Sequence, residues 1–256
     1  MTSERRVLVH PDAASLAASV AARFLTKVID LLDERETIDV CLTGGSTGIA
    51  VLAAVAQNPA REGIDWSRVG FWFGDERYLP RGDADRNETQ ARDALLDRLD
   101  LPAGAVHPFP APGEQATIED AAAAYAAELG DTVFDITFLG VGPDGHVASL
   151  FPDHATVRET VARVVAETNS PKPPPLRLSL TLPVINATER IWLVLAGADK
   201  AGALGLALAD ASVASVPVAG VRGRKRTVFF VDQEAAAEVP EGLIDGGRYW
   251  TAQDEA

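Results

Sequence analysis

Apolar runs of strand length recur along this chain, and longer alanine-rich stretches separate them. The strand-length runs are RRVLVH, TIDVCLTG, RVGFWFGDE, FDITFLGVG, LRLSLTLPVI, RIWLVLAG and RTVFFVD. Near-continuous apolar runs are typical of strands that are covered on both faces. Their alternation with helix-forming segments predicts an α/β fold of the Rossmann-like kind, in which a mainly parallel sheet carries helices on both faces.

The segments between the strands carry signals that begin and end helices. Asp12 is placed to cap a helix that continues to about Asp33. A second helix is expected from about Thr47 to Gln57. A later one, in ATIEDAAAAYAAELG, ends at Gly130, because glycine favours the position that closes a helix.

Only the stretch SPKPPPL, Ser170 to Leu176, has the composition of a linker. A polyproline stretch this short is more typical of an ordered loop than of a domain boundary. A chain of 256 residues is long enough to bury a full core. We therefore expect one α/β domain over residues 1–256.

The charge balance and the single cysteine limit the partners and the compartment. The chain has 37 Asp and Glu residues against 23 Lys and Arg, whereas nucleic-acid surfaces are basic. A small anionic ligand remains compatible, since a cationic pocket can lie within an acidic protein. Cys41 alone cannot form an intrachain disulfide, which fits a reducing compartment.

No stretch reaches the roughly 18 uninterrupted apolar residues that cross a bilayer, and MTSERRVLVH lacks the apolar core of a signal peptide. We therefore expect a cytoplasmic protein with no nucleic-acid or membrane partner, as a monomer or a weak homodimer.

The stretch CLTGGSTGIAVL has three interpretations. Its G-G-S-T-G fits the nucleophile elbow of a serine hydrolase, with Ser46 as the nucleophile, but no H-G-G-G-type segment lies upstream. A plain turn with Ser46 or Thr47 as a helix cap is the second interpretation. The third is a phosphate cradle, because free N–H groups and the positive end of the helix dipole point at the same place. We favour the cradle.

Two further motifs lack the neighbouring residues that their usual functions require. GVGPDG, Gly140 to Gly145, matches a dinucleotide fingerprint, but Pro152 follows too soon for the required helix. DADRN, Asp83 to Asn87, begins like a calcium loop but lacks the later glycine and glutamate. No zinc motif is present either, and we expect no metal and no organic cofactor.

Polar groups follow four of the predicted strands, at the carboxyl ends where parallel sheets bind ligands. They lie in TGGST, GDER, GPDGH and GADK. Each has a plain explanation alone: Arg77 can pair with a neighbouring carboxylate, Lys200 can be an ordinary helix residue, and His146 can cap a turn. Their joint placement favours one site.

Together, TGGST, GDER, GVGPDGHVASLFP, LTLPVIN and LVLAGADKA resemble the 6-phosphogluconolactonase family, in order from about Val9 to about Asp232. The resemblance implies a sugar-phosphate isomerase/deaminase-like fold and hydrolysis of 6-phosphogluconolactone in the oxidative pentose phosphate pathway. The related glucosamine-6-phosphate deaminases normally have an aromatic residue where Arg77 stands and Asn-Glu-Pro where this chain has SLFP. The lactonases are therefore favoured over the deaminases. A deaminase or isomerase, and a non-catalytic sugar-phosphate sensor, remain as alternatives.

Hydrolysis of a lactone needs an activated water and a proton for the leaving ring oxygen, and histidine can transfer both protons. We expect His146 to be the general base and then the acid, as the resemblance also implies. Asp144 can accept the other ring N–H, and Asp75 is the next candidate for a catalytic carboxylate.

The phosphate of the substrate serves as a binding handle. Arg177, which stands next to the proline stretch, can contact phosphate with two nitrogens. The residues expected to hold the phosphate are Thr43, Gly44, Gly45, Ser46, Arg77, Arg177 and Lys200.

Overall fold

The computed structural model describes residues 4–244, and within them the strands form two sheets. The strands are β1 (Glu4–His10), β2 (Ile38–Leu42), β3 (Val69–Phe73), β4 (Asp75–Arg77), β5 (Val106–His107), β6 (Ile136–Gly140), β7 (Val164–Glu167), β8 (Arg177–Leu180), β9 (Arg190–Leu195) and β10 (Arg226–Asp232). The larger sheet has seven strands in the order β1-β10-β9-β6-β2-β3-β5, and every pair in it is parallel. The smaller sheet has the order β4-β8-β7 and is antiparallel.

Helices lie between the strands and after the last strand, β10. They are α1 (Ala13–Glu34), α2 (Ser46–Gln57), α3 (Asn87–Ala94), α4 (Ile118–Leu129), α5 (Leu182–Ala187), α6 (Ala201–Leu208), α7 (Gln233–Ala236) and α8 (Glu241–Ile244). Crossovers between parallel strands are right-handed, which puts α1 and α2 on one face of the larger sheet and α4 and α6 on the other. The predicted α/β class, with a mainly parallel sheet between helices, is confirmed.

The first helix shows how the local signals act. The Asp12 side chain accepts a hydrogen bond from the Ser15 N–H at 2.7 Å, as expected for a helix cap. Phe24 of α1 is fully buried and packs edge-on against Phe138 of β6, with ring centroids 5.3 Å apart. At the end of α4, Gly130 adopts a positive φ of 49°, as its predicted position requires.

The predicted strand RVGFWFGDE is two strands that belong to different sheets. The N–H of Gly74 donates to Leu42 O of the larger sheet, and its carbonyl accepts from Leu180 N of the smaller one, both at 2.9 Å. The chain therefore leaves the larger sheet at Gly74, and β4 pairs antiparallel with β8.

The predicted strand LRLSLTLPVI was wrong over its second half. Only Arg177–Leu180 is a strand, and Leu182–Ala187 is the helix α5. Pro183 explains the change, because proline cannot donate to a strand ladder but is tolerated in the first turn of a helix. In the stretch ETQARDALLDRL, the helix α3 ends at Ala94.

The smaller sheet and the loops at the carboxyl ends of β2, β6 and β9 enclose the same region. β4 follows β3 after one residue, and the loop of residues 170–176 joins β7 to β8. The SPKPPPL stretch is therefore a loop within one sheet. Among residues 4–244, no helix combines the length and the apolar character needed to span a membrane.

Candidate active site

A cavity of about 240 Å³ lies at the carboxyl ends of β2 and β6, beside the smaller sheet. Eight of the predicted site residues line it, namely Thr43, Gly44, Gly45, Asp75, Arg77, His146, Arg177 and Lys200. Ser46 begins α2 next to this lining, and Asp144 contacts His146. A larger cavity, of about 530 Å³, lies between α1 and the strands β9 and β10 and contains none of the predicted site residues.

The glycine turn after β2 brings the start of α2 to the cavity. Gly45 precedes α2 with a positive φ of 82°, a conformation that favours glycine. A Cβ at Gly44 would overlap the carboxamide of Asn87. Thr43 ties the turn to the neighbouring strand, because its hydroxyl accepts the Gly140 N–H at 3.2 Å. The first N–H groups of a helix lack intrahelical partners, so this end of α2 can bind an anion.

A second tight turn holds His146. Gly142 N donates to His146 O, and Gly145 N donates to Gly142 O, both at 2.9 Å. Gly145 has a φ of 83°, and a Cβ at Gly142 would overlap the His146 ring. The two glycines are therefore required by the shape of this turn.

The carboxylate of Asp144 lies against the His146 ring, with Oδ1 2.5 Å from Nδ1. Burial alone would raise the pKa of Asp144, but the hydrogen bond from the His146 ring and the positive charge of Lys172 hold it well below its usual range. An ionised Asp144 accepts the proton on Nδ1 and leaves Nε2 of the neutral ring with its lone pair. That arrangement suits a general base.

Asp75 is buried and is held by different partners. Its Oδ2 accepts from the Ser149 hydroxyl at 2.7 Å, and its Oδ1 accepts from Asn87 Nδ2 at 3.1 Å. The two candidate carboxylates thus have different partners. Asp144 pairs with the His146 ring, and Asp75 is fixed in the cavity wall by Ser149 and Asn87.

Arg77 and Arg177 pair across the smaller sheet, and both have backbone carbonyls as partners. Arg77 Nη1 donates to Asp85 O at 2.6 Å. Arg177 donates from Nε to Pro174 O at 3.2 Å and from Nη2 to Pro173 O at 3.1 Å. These bonds limit the predicted two-nitrogen contact of Arg177 with phosphate, since two of its three nitrogens already hold the proline loop.

Arg177 is also buried, and burial affects the pKa of its guanidinium group. Burial, together with the nearby charge of Arg77, lowers the pKa of Arg177, although the charge of Asp75 opposes the shift. Its guanidinium lies over the ring of Phe151, 5.7 Å from the centroid, and the same ring is 4.7 Å from that of His146.

Lys200 reaches the cavity from the loop after β9. Gly197 in this loop has a φ of 97°, and its N–H is held by the buried carboxylate of Asp232 at 3.0 Å. The Lys200 ammonium pairs with Asp199 at 3.0 Å.

Two polar side chains of the cavity, those of Asn87 and Lys172, were not assigned from the sequence. Asn87 orients Asp75, and its own Oδ1 is buried without a hydrogen-bond partner among the described residues. Lys172 enters from the proline loop, with Nζ 3.4 Å from His146 Nδ1. The proline stretch was the only sequence signal for Lys172. Among residues 4–244, no group of three or more His, Cys, Asp or Glu side chains is arranged to hold a metal ion.

The chain has well-defined relatives. Residues 11–230 match the model of the family described as glucosamine-6-phosphate isomerases/6-phosphogluconolactonase. A 6-phosphogluconolactonase of Streptomyces coelicolor is 47% identical over 255 residues, which is 95% of this chain and 98% of that protein. One from Mycobacterium tuberculosis is 40% identical over 242 residues, 91% of this chain and 97% of that protein.

Solved structures agree with these relatives. The 6-phosphogluconolactonase of Trypanosoma brucei superposes with a TM-score of 0.81 at 27% identity, over 93% of this chain and all of that one. A monomeric glucosamine-6-phosphate deaminase reaches 0.75 at 20% identity, over 91% of this chain and 99% of its own, and at that identity it supports the fold alone. By sequence and by fold, this chain belongs to the glucosamine-6-phosphate isomerase/6-phosphogluconolactonase family.

Proposed function

We propose that this chain hydrolyses 6-phospho-D-glucono-1,5-lactone to 6-phospho-D-gluconate, a step of the oxidative pentose phosphate pathway. The names of its relatives support this activity. The observation that carries it is the Asp144–His146 contact in a cavity that also contains a glycine turn and several cations. A base and an anion site in the same cavity suit a phosphorylated lactone.

In the proposed reaction, His146 Nε2 takes a proton from water while the water oxygen bonds to the lactone carbonyl carbon. The electron pair of the carbonyl moves to its oxygen. When this intermediate collapses, the bond from the carbonyl carbon to the ring oxygen breaks, and the proton on His146 passes to that oxygen. The product is an open-chain carboxylic acid that ionises in water. Asp144 keeps the ring oriented and compensates its positive charge between the two proton transfers.

The phosphate is proposed to bind at the start of α2. The N–H groups of Gly44, Gly45 and Ser46, with the Thr43 and Ser46 hydroxyls, supply neutral donors. The cations are proposed to be Arg77, Arg177 and Lys200, with Arg177 contributing mainly the nitrogen that the proline loop leaves free. In this scheme Ser46 binds the phosphate and is not a nucleophile.

The test is a lactonase assay on freshly prepared 6-phosphogluconolactone, corrected for spontaneous hydrolysis. A parallel assay for ammonia release from glucosamine 6-phosphate distinguishes the deaminase. Binding of sugar phosphates without turnover of either substrate would instead indicate a sensor. Enzymatic lactone hydrolysis without ammonia release is the expected result.

We also propose that residues 1–256 act as one α/β domain, because both sheets contribute side chains to the same core and the same cavity. The cytoplasmic location and the monomeric or weakly dimeric state stay predictions, which cell fractionation and light scattering would test.

A further inference from the structure

The proline loop, residues 170–176, is held in a fixed shape. Ser170 N donates to Pro175 O at 3.0 Å, which closes the loop, and the Ser170 hydroxyl donates to Lys172 O at 2.8 Å. Arg177 donates to the carbonyls of residues 172–174. Ser170 and Arg177 are both buried. The backbone of Lys172 is therefore fixed at the mouth of the cavity.

The side chain of Lys172 is less constrained than its backbone. Its Nζ lies 3.4 Å from His146 Nδ1 and 3.7 Å from Asp144 Oδ1. The Nζ–Oδ1 distance is that of a loose ion pair and exceeds the 2.7–3.2 Å of a good N–H···O hydrogen bond, and 41% of the Lys172 side chain is exposed. The ammonium thus rests beside the catalytic pair without being locked to it, on a stem that can turn toward a ligand.

The backbone of the His146 turn does not supply an obvious oxyanion hole. The N–H groups of Gly140, Gly142 and Gly145 are already donated to Thr43 Oγ1, His146 O and Gly142 O. The N–H of His146 points at Asp144 Oδ1, at 3.4 Å. These four N–H groups are therefore already engaged, and a side-chain donor can stabilise charge that develops on a carbonyl oxygen near His146.

The other cations of the cavity have closer partners. Arg77 and Arg177 bind backbone carbonyls, and Lys200 pairs with Asp199. Lys172 is the cation that the described residues bring next to the His146 ring.

We propose that Lys172 is a catalytic residue that stabilises the oxyanion formed when water adds to the lactone carbonyl. This inference rests on the proposed function. As the carbonyl electron pair moves to oxygen, the Lys172 ammonium donates a hydrogen bond to that oxygen, and the bond is released when the carbonyl re-forms and the ring oxygen leaves. No proton leaves Lys172 in either step.

Kinetics give the first test. Lys172→Met keeps the apolar stem and removes the charge, and we expect kcat to fall by roughly one hundred- to one thousand-fold, as when one oxyanion donor is lost. KM should change little, and Lys172→Arg should recover much of the lost kcat. The matched control is Lys27→Met, which removes a partly buried lysine of α1 that pairs with Asp30 outside the cavity. A kcat of Lys172→Met within threefold of the wild type would overturn the proposal.

Binding gives a second test that does not depend on turnover. The product 6-phosphogluconate carries a carboxylate where the oxyanion forms, whereas glucitol 6-phosphate has a neutral hydroxymethyl group there. By calorimetry the wild type should prefer 6-phosphogluconate by roughly ten-fold or more, the worth of a charge-assisted hydrogen bond. Lys172→Met should lose that preference, and an equal loss of affinity for both ligands would overturn the proposal.

The two tests separate this inference from the proposed function. If the wild type hydrolyses no lactone, the proposed function fails, while the ligand preference still decides whether Lys172 recognises negative charge at the lactone carbon. Thermal melting confirms folding of each variant, and Lys172→Gln replaces Lys172→Met if the methionine variant does not fold.

Discussion

Arg77 and Arg177 are directly paired residues of the antiparallel strands β4 and β8, so two guanidinium groups share one wall of the cavity. Like charges directly opposite each other destabilise a sheet. On the other neighbouring strand, β7, Glu167 is the residue paired with Arg177. Its negative charge offsets part of the repulsion between the two arginines. An anion in the cavity would offset more of it.

The pair therefore predicts that inorganic phosphate raises the melting temperature of the wild type, since a ligand that binds only the folded state stabilises it. Arg77→Gln should weaken the affinity for phosphate roughly tenfold, as expected for one charged hydrogen bond. Melting curves over a phosphate series measure this, with Arg61→Gln, on a turn outside the cavity, as the control. An unchanged phosphate dependence in Arg77→Gln would contradict the assignment.

Ser46→Ala should raise KM and leave kcat within about tenfold, because it removes roughly one hydrogen bond to a charged group. A fluorophosphonate probe should not label the wild type. Stoichiometric labelling of Ser46, read by mass spectrometry, would restore the nucleophile interpretation.

His146→Ala should lower kcat by roughly two to four orders of magnitude, which is the usual contribution of general acid–base catalysis. Substrate affinity should change little. The control is His107→Gln, whose histidine pairs with Glu128 and stacks on Trp72, away from the cavity. If kcat of His146→Ala stayed near the wild-type value, the base would have to be a carboxylate, and Asp75 would be tested next.

Activity should survive exhaustive chelation, because residues 4–244 contain no grouping of side chains suited to a metal. The assay is lactone hydrolysis before and after treatment with EDTA. Loss of activity that a divalent ion restores would identify a metal requirement.

The ion-pair cluster around Glu189 should make stability depend on pH. Partial burial opposes its ionisation, but hydrogen bonds from Lys225 and Arg35 lower the pKa of Glu189 to about 2. A lowered carboxyl pKa stabilises the fold above about pH 4.5, and this contribution is lost as the pH falls toward 2. Glu189→Gln should thus lower the free energy of unfolding at pH 7, on the order of 2 kcal/mol.

Urea denaturation at pH 7, 5 and 4 measures the free energy of unfolding of the wild type and of Glu189→Gln. The difference between the two proteins should become smaller as the pH falls. Glu62→Gln, at an exposed site, should show no such trend. A difference for Glu189→Gln that stayed constant with pH would contradict the role of its charge.

The sequence predicts the longer strands of the larger sheet, because they are apolar runs and the turns after them carry local glycine signals, but it misses the two-residue edge strand β5. It does not predict the smaller sheet. The pairing of Asp75 with Ser179 joins short strands that lie far apart in the chain, and no local pattern encodes that contact. Lys172 was missed for the same reason, since its position beside His146 depends on the loop of that sheet.

Gly74 bonds to both sheets at once, so this one residue sets how the smaller sheet meets the larger one. The larger sheet can carry the glycine turn and His146, but Arg77, Arg177 and Lys172 take their positions only when the smaller sheet has also formed. Binding competence therefore requires that both sheets are formed and joined at Gly74. Titration of ligand-binding sites therefore reports on the assembly of the two sheets together, whereas a signal from the parallel strands reports on the larger sheet alone.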